Sequence, residues 1–197
     1  MERLQADGPP TSLAPMSFAF ERLEIPDVIL VRPTRLGDPR GFFAETFRAS
    51  AFAAAGIPGA FVQDNIARSG ARVLRGLHFQ ASPHPQGKLI QVLRGAVHDV
   101  AVDLRRASPT FGRWVGRELS DAEGALLWVP PGFAHGYLVL SDGADLAYKV
   151  TEEYRPELDR GVRWDDPTLG VSWPVPDPIL SQRDRALPLL SDLEPPF

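Results

Sequence analysis

Residues 88–104, KLIQVLRGAVHDVAVDL, decide how this chain folds. Two runs rich in apolar and β-branched residues are interrupted only by Arg94-Gly95, so two strands joined by a tight hairpin turn are expected. The second run has two unlike faces. Val100, Val102 and Leu104 share one with His98, while Asp99, Ala101 and Asp103 share the other. The acidic face either meets solvent or lines the polar interior of a barrel, where Asp99 would pair with Lys88 on the adjacent strand.

The same punctuation continues along the chain. Residues 60–66, 73–79, 112–119, 126–129, 135–140, 146–151 and 162–165 read as further strands, bounded by Gly, Pro, Asp or Ser turns. A spacing of roughly 8–12 residues between turns marks an all-β sandwich or barrel. Residues 18–35 fit two strands broken at Pro26, and Gly37-Asp38-Pro39-Arg40-Gly41 is a dense turn signal. Residues 45–55 form the one convincing short helix, ended by Gly56 and Pro58. The 20 prolines are spread throughout, a density that breaks helices and suits short strands. Residues 173–197 read as an irregular Pro-rich segment with one helical turn near 181–186. Residues 1–17 lack any period and are expected to be a disordered leader, with Met16 as an alternative start. Residues 18–197 then form a single domain.

Composition narrows the function. A net charge of -4 argues against a nucleic-acid binder. The absence of cysteine excludes a disulfide scaffold, a thiolate metal site and a cysteine nucleophile. No apolar run has the length of a membrane span and no signal pattern opens the chain, so a cytoplasmic protein is expected.

Chemistry concentrates in Arg75-Gly76-Leu77-His78-Phe79-Gln80 and in Lys88, one of only two lysines beside four histidines. An Arg, a His and a Lys on neighbouring strands offer a base and two cations, the equipment for removing a proton next to a carbonyl. Taken singly, a strand His is as readily a hydrogen-bonded core residue, and Tyr148 as readily packing.

Pro130-Pro131-Gly132-Phe133-Ala134-His135 fits P-x-G-x-x-H, the second signature of the cupin barrel. The first signature needs H-x-H and a following carboxylate to hold a metal, and the equivalent segment here reads His78-Phe79-Gln80. Two imidazoles fall short of the three protein ligands typical of a catalytic metal. A metal-free site without cofactor is expected.

Ordered segments sharpen this. GDPRGFFAE (37–45), FVQDN (61–65), VLRGLHFQ (73–80), QGKL (86–89), SPTFG (108–112), PGFAHG (131–136), LAYK (146–149) and LSQRD (180–184) are spread in order through residues 24–190. In these segments the chain resembles the dTDP-4-dehydrorhamnose 3,5-epimerases, a deoxysugar-nucleotide epimerase family of the cupin fold. The resemblance implies an all-β cupin jelly-roll barrel, a homodimer, and rhamnose-type biosynthesis. The implied substrate is a dTDP-4-keto-6-deoxyhexose, whose C4 carbonyl acidifies the protons on C3 and C5. The resemblance further implies His78 as base, Asp184 as the carboxylate orienting it, Lys88 as the cation at the enolate oxygen, and Tyr148 as the acid on the opposite face. Arg40, Glu45, Gln63, Asn65, Arg75, His135, Asp159 and Arg183 match its substrate-binding positions. Guanidinium groups suit a diphosphate because they bind phosphate oxygens in pairs.

Two positions depart from the family pattern: Asp159 stands where Glu is common, and Arg183 where Lys is common. His98 replaces an apolar residue and is expected on an outer, sheet-packing face. The motifs leave open an epimerase acting at C3 or C5 alone. A metal-dependent cupin oxygenase or isomerase and a non-catalytic sugar-nucleotide binder are the more distant alternatives.

Overall fold

The computed structural model describes residues 17–194, 196 and 197. Residues 1–16 of the expected leader lie outside the described residues. The carbonyl of Ser17, its last residue, accepts hydrogen bonds from the Thr34 amide and hydroxyl.

Strands with one apolar face must stack that face on another layer. Among the described residues they form two antiparallel sheets. The six-stranded sheet runs in the order β1 (Phe18–Arg22), β2 (Ile29–Pro33), β10 (Leu126–Val129), β7 (Lys88–Arg94), β12 (Gly143–Val150) and β5 (Gln63–Gly70). The five-stranded sheet runs β13 (Asp159–Gly161), β6 (Leu74–Gln80), β11 (Phe133–Val139), β8 (Ala96–Asp103) and β9 (Trp114–Ser120). β3 (Arg35–Asp38) and β4 (Gly41–Ala44) form a separate hairpin. Sequence neighbours rarely pair, and the result is the expected jelly-roll barrel. Ile90, Val92 and Leu146 of one sheet meet Val97, Ala101 and Phe133 of the other in the central core.

Two outer layers complete the packing. α1 (Ala49–Ala54) drives Phe52 into a cage of Phe18, Phe20 and Phe47, with edge-on ring contacts of 4.9–5.3 Å. The C-terminal segment, including α2 (Gln182–Arg185), lays Trp173, Leu190 and Phe197 over Phe79, Val100 and Val102. His98 lies on this outer face against Trp173, at 6.0 Å between ring centres.

The structure corrects several expectations. Arg94-Gly95 is not a hairpin: β7 pairs with β10 and β12, whereas β8 pairs with β11 and β9. The turn is a corner at which the chain changes sheets. Local turn chemistry is the same for both outcomes, and the choice is made by partners distant in sequence. Lys88 and Asp99 therefore sit on different sheets, and Asp99 bonds His135 instead. The acidic face of β8 does not meet solvent, because Asp99 and Asp103 are both 0% exposed. Asp103 accepts from Arg105, Ser108 and Thr110.

The helix starts at Ala49 rather than at residue 45. Arg48 is extended (φ -143°) and pairs with Glu45, and no side chain caps the helix. Strand 60–66 is displaced to Gln63–Gly70 because the ladder to β12 runs from Gln63 opposite Val150 to Gly70 opposite Gly143. Strand 162–165 is displaced to Asp159–Gly161, which finds its partners on β6.

One irregularity positions the site. On β11 His135 and Tyr137 are two residues apart, yet their partners on β6, His78 and Arg75, are three apart. The extra residue is a β-bulge at Gly76, which lets Arg75 and His78 share a face despite their odd spacing. Glycine is required on both strands here. A Cβ at Gly76 (φ +121°) would lie 2.6 Å from the Gly136 Cα, and one at Gly136 would lie 2.8 Å from the Arg75 carbonyl oxygen. Gly136→Ala is expected to destabilise the protein by about 1–3 kcal/mol through overpacking. Urea unfolding measures this, and an unchanged midpoint would contradict it.

Candidate functional site

Alternation along β6 sends Leu77 and Phe79 outward to the C-terminal layer and leaves His78 facing the barrel. His78 Nε2 lies 2.6 Å from Asp184 Oδ1. A carboxylate can only accept, so with the ring assigned this way Nε2 carries the proton and Nδ1 is the basic nitrogen. Asp184 is itself held by the turn that carries it, its amide donating to the Ser181 side chain at 3.0 Å. Burial would raise the Asp184 carboxyl, but the His78 hydrogen bond and charge, with Ser181, outweigh burial and leave it below its ordinary range.

Lys88 opens β7 on the other sheet, and its Nζ donates to the His78 carbonyl oxygen at 3.2 Å. Burial pushes its pKa down to about 8, against the opposing pull of Asp159 and Asp99. Tyr148, on β12, pairs in register with Asn65 and Ile90. Burial raises its phenol, with Arg75 acting the other way.

These groups meet in one cleft of about 260 Å³, lined by His78, Lys88, Tyr148, Gln63, Asn65, Asp159 and Tyr154 among others. Gln63 donates to Asn65 at 2.8 Å and accepts from the Tyr154 amide at 2.8 Å. Arg75 and His78 line a second opening together with Arg183 and Asp184, and the Arg75 Nε donates to Ser69 at 2.9 Å. His135 lies directly across the ladder from His78 and is bonded to Asp99 at 2.8 Å. Asp159 pairs with Arg183 at 2.7 Å and accepts from the Tyr154 hydroxyl at 3.0 Å.

Three expected site residues, His135, Arg40 and Glu45, line neither opening. Arg40 sits at the tip of the β3–β4 hairpin with its side chain 89% exposed, paired with Asp38. Glu45 pairs with Arg48 at 2.9 Å.

Sequence reasoning did not find Tyr154, Ser181 or the His135–Asp99 pair. Ser181 had a readable signal, a Ser three residues before Asp184 at a helix start. Tyr154 had none, since it belongs to no strand pattern. Gln80 proves to be a brace: its amide bonds the carbonyls of His84 and Glu153 and the amide of Arg155. Among the described residues no group of three or more His, Cys, Asp or Glu is arranged to hold a metal. Both imidazoles that could begin such a group direct Nε2 at a carboxylate.

A family model described as dTDP-4-dehydrorhamnose 3,5-epimerase matches residues 22–192. The chain is 53% identical over 166 residues to the dTDP-4-dehydrorhamnose 3,5-epimerase of Pseudomonas aeruginosa, covering 83% of this chain and 91% of that protein. It is 50% identical over 174 residues to the enzyme of that name from Escherichia coli, covering 87% and 94%. Its fold superposes with a TM-score of 0.87 on a dTDP-6-deoxy-D-glucose-3,5-epimerase from Legionella pneumophila in complex with dTDP-4-keto-L-rhamnose. That pair is 46% identical, covering 90% of this chain and 95% of the other.

The cleft makes a direct prediction for Lys88. With Lys149 as the only other lysine, NMR of lysine ε-carbons resolves two titrations, and that of Lys88 is expected to have its midpoint near pH 8. A midpoint at the ordinary lysine value would contradict the burial argument.

Proposed function

The chain belongs to the dTDP-4-dehydrorhamnose 3,5-epimerase family and is an isomerase of deoxysugar biosynthesis. On that premise we propose that His78 and Tyr148 exchange the protons on C3 and C5 of a dTDP-4-keto-6-deoxyhexose from opposite faces of the sugar. One observation carries this reading. His78 projects from the five-stranded sheet and Tyr148 from the six-stranded sheet, and both line the same cleft. A sugar held between the walls has a base on one side and an acid on the other, as inversion at carbon requires.

The chemistry follows from the groups present. Nδ1 of His78 takes the proton from the carbon next to C4, and the electron pair left behind moves onto O4. Asp184 stabilises the imidazolium so formed without itself taking the proton. The Lys88 ammonium donates to the developing enolate oxygen, an interaction stronger in the transition state than in the bound ketone. The enolate collapses back to the ketone as Tyr148 returns a proton from the opposite face. Burial keeps its phenol protonated at neutral pH, ready to donate. The cycle has no net redox change, so no cofactor or metal is invoked. Gln63, Asn65, Arg75 and His135 are read as contacts to the substrate, with Arg75 at the diphosphate. The ketosugar bound by the Legionella relative supports the same substrate class.

We further propose that the protein is a homodimer. Ile66, 77% exposed, and Leu93 lie on the outer face of the six-stranded sheet, with Phe42 and Phe43 exposed on the neighbouring hairpin. Covering that face with a second copy removes apolar surface from water. It also offers Arg40 and Glu45, remote from their own cleft, a place in the partner's. Among the described residues no helix is long and apolar enough to cross a membrane, and action on a nucleotide-activated sugar fits the cytoplasm.

In deuterated water, wild-type enzyme should incorporate label at both C3 and C5, insensitive to chelators. Label at one carbon only, or loss of activity with removal of a stoichiometric metal, would overturn this reading. His78→Ala should abolish exchange while dTDP binding persists. Sedimentation should give about twice the chain mass of 21.6 kDa, and Ile66→Lys should shift it toward monomer; a monomeric wild type would remove the dimer.

A further inference from the structure

We propose that Asp159 and Arg183, beyond matching substrate-binding positions, form a latch that positions Asp184 against His78. This inference rests on the reading of His78 and Asp184 given above.

Asp184 is carried by α2, a helix of four residues. A single turn has little stability of its own, because nucleation costs more than one turn repays. The segment around it is tied to the barrel on both sides: upstream the Leu74 amide donates to the Ile179 carbonyl at 2.9 Å and the Ile179 amide to the Arg72 carbonyl at 2.8 Å, and downstream the Arg163 amide donates to the Pro188 carbonyl at 2.9 Å. The Ser181 cap fixes the turn's internal shape but not its place on the barrel. Between those ties, and apart from the Asp184–His78 contact itself, the polar tether from the α2 turn to the barrel among the described residues is Arg183, which meets Asp159 Oδ2 at 2.7 Å.

Asp159 is well placed to receive it. In the β13–β6 ladder Asp159 stands opposite Gln80, and Gly161 stands opposite His78. The latch therefore ties the turn carrying Asp184 to the strand flanking His78, so both halves of the dyad are referenced to β6. The Asp159 side chain is 15% exposed, where an ion pair is less screened than on an open surface. The same oxygen accepts from the Tyr154 hydroxyl at 3.0 Å, so the carboxylate has a second partner holding its orientation. Arg183 and Asp184 are consecutive residues, and displacement of one moves the other.

Arg183→Met is the cleaner probe, because Asp159 also raises the Lys88 ammonium and its loss would change two things at once. The variant is expected to lower kcat roughly tenfold to a hundredfold, the scale of a misplacement of about 1 Å, with dTDP affinity unchanged. In an Asp184→Asn background the same substitution should cost nothing further, since the group it positions is already disabled. A rise in KM or loss of dTDP affinity at unchanged kcat would make Arg183 a substrate contact and overturn the latch. Additive losses in the double variant would overturn it as well. If Arg183→Met fails to fold, Arg183→Lys shortens the tether while keeping the charge. Its loss of kcat should be recovered by Asp159→Glu, which restores the reach, and absence of recovery counts against the latch. Failure of the underlying reading is separable: it shows as proton exchange surviving in His78→Ala, whereas failure of the latch leaves His78→Ala inactive.

Discussion

The close approach of β6 and β11 at Gly76 and Gly136 is the constraint on which the site depends. Without side chains there, two backbones can lie closer than any Cβ would permit, and β6 can absorb one extra residue. That bulge changes the parity of the strand. Arg75 and His78, three residues apart, would otherwise project from opposite faces; with it they line one opening together, while Leu77 and Phe79 remain outward under the C-terminal layer. A packing requirement and a catalytic requirement are met by one local irregularity.

The C-terminal segment extends the same economy. It covers the outer face of the five-stranded sheet through the partly buried Trp173, Leu190 and Phe197, removing apolar surface from water. Held by that apolar contact, the segment carries Asp184 to His78 from more than a hundred residues away in sequence. The carboxylate needs to be both buried and aimed, and a covering layer supplies both at once.

Charge inside the barrel is mostly paired. His78 meets Asp184, His135 meets Asp99, Asp103 meets Arg105, and Asp159 meets Arg183. Lys88 differs: it bonds a carbonyl, and its carboxylates act only at a distance. Its ammonium therefore carries the burial penalty with little compensation, which is why its pKa falls to about 8. A cation poised near neutral pH and short of an anionic partner is suited to meet an enolate.

The sequence by itself determined what depends on local pattern. Strand periodicity, turn residues and proline density specified an all-β barrel, and ordered segments such as VLRGLHFQ and LSQRD specified the family. Those segments also named His78, Lys88, Tyr148 and Asp184, which the fold gathers around one cleft and its rim. Tertiary structure decided what depends on pairing between distant strands. Arg94-Gly95 reads as a hairpin because a sheet-changing corner uses the same turn residues, and only the partners of β7 and β8 separate the two. Asp99 was readable as one face of a strand, but its partner was not, since alternation gives a side and never a neighbour. Arg40 carries a binding motif yet lies at an exposed hairpin tip, because a motif records residue types and not the distance from the cleft. Asp159 and Arg183 looked like two separate departures in sequence; they became one ion pair only when α2 was laid against β13.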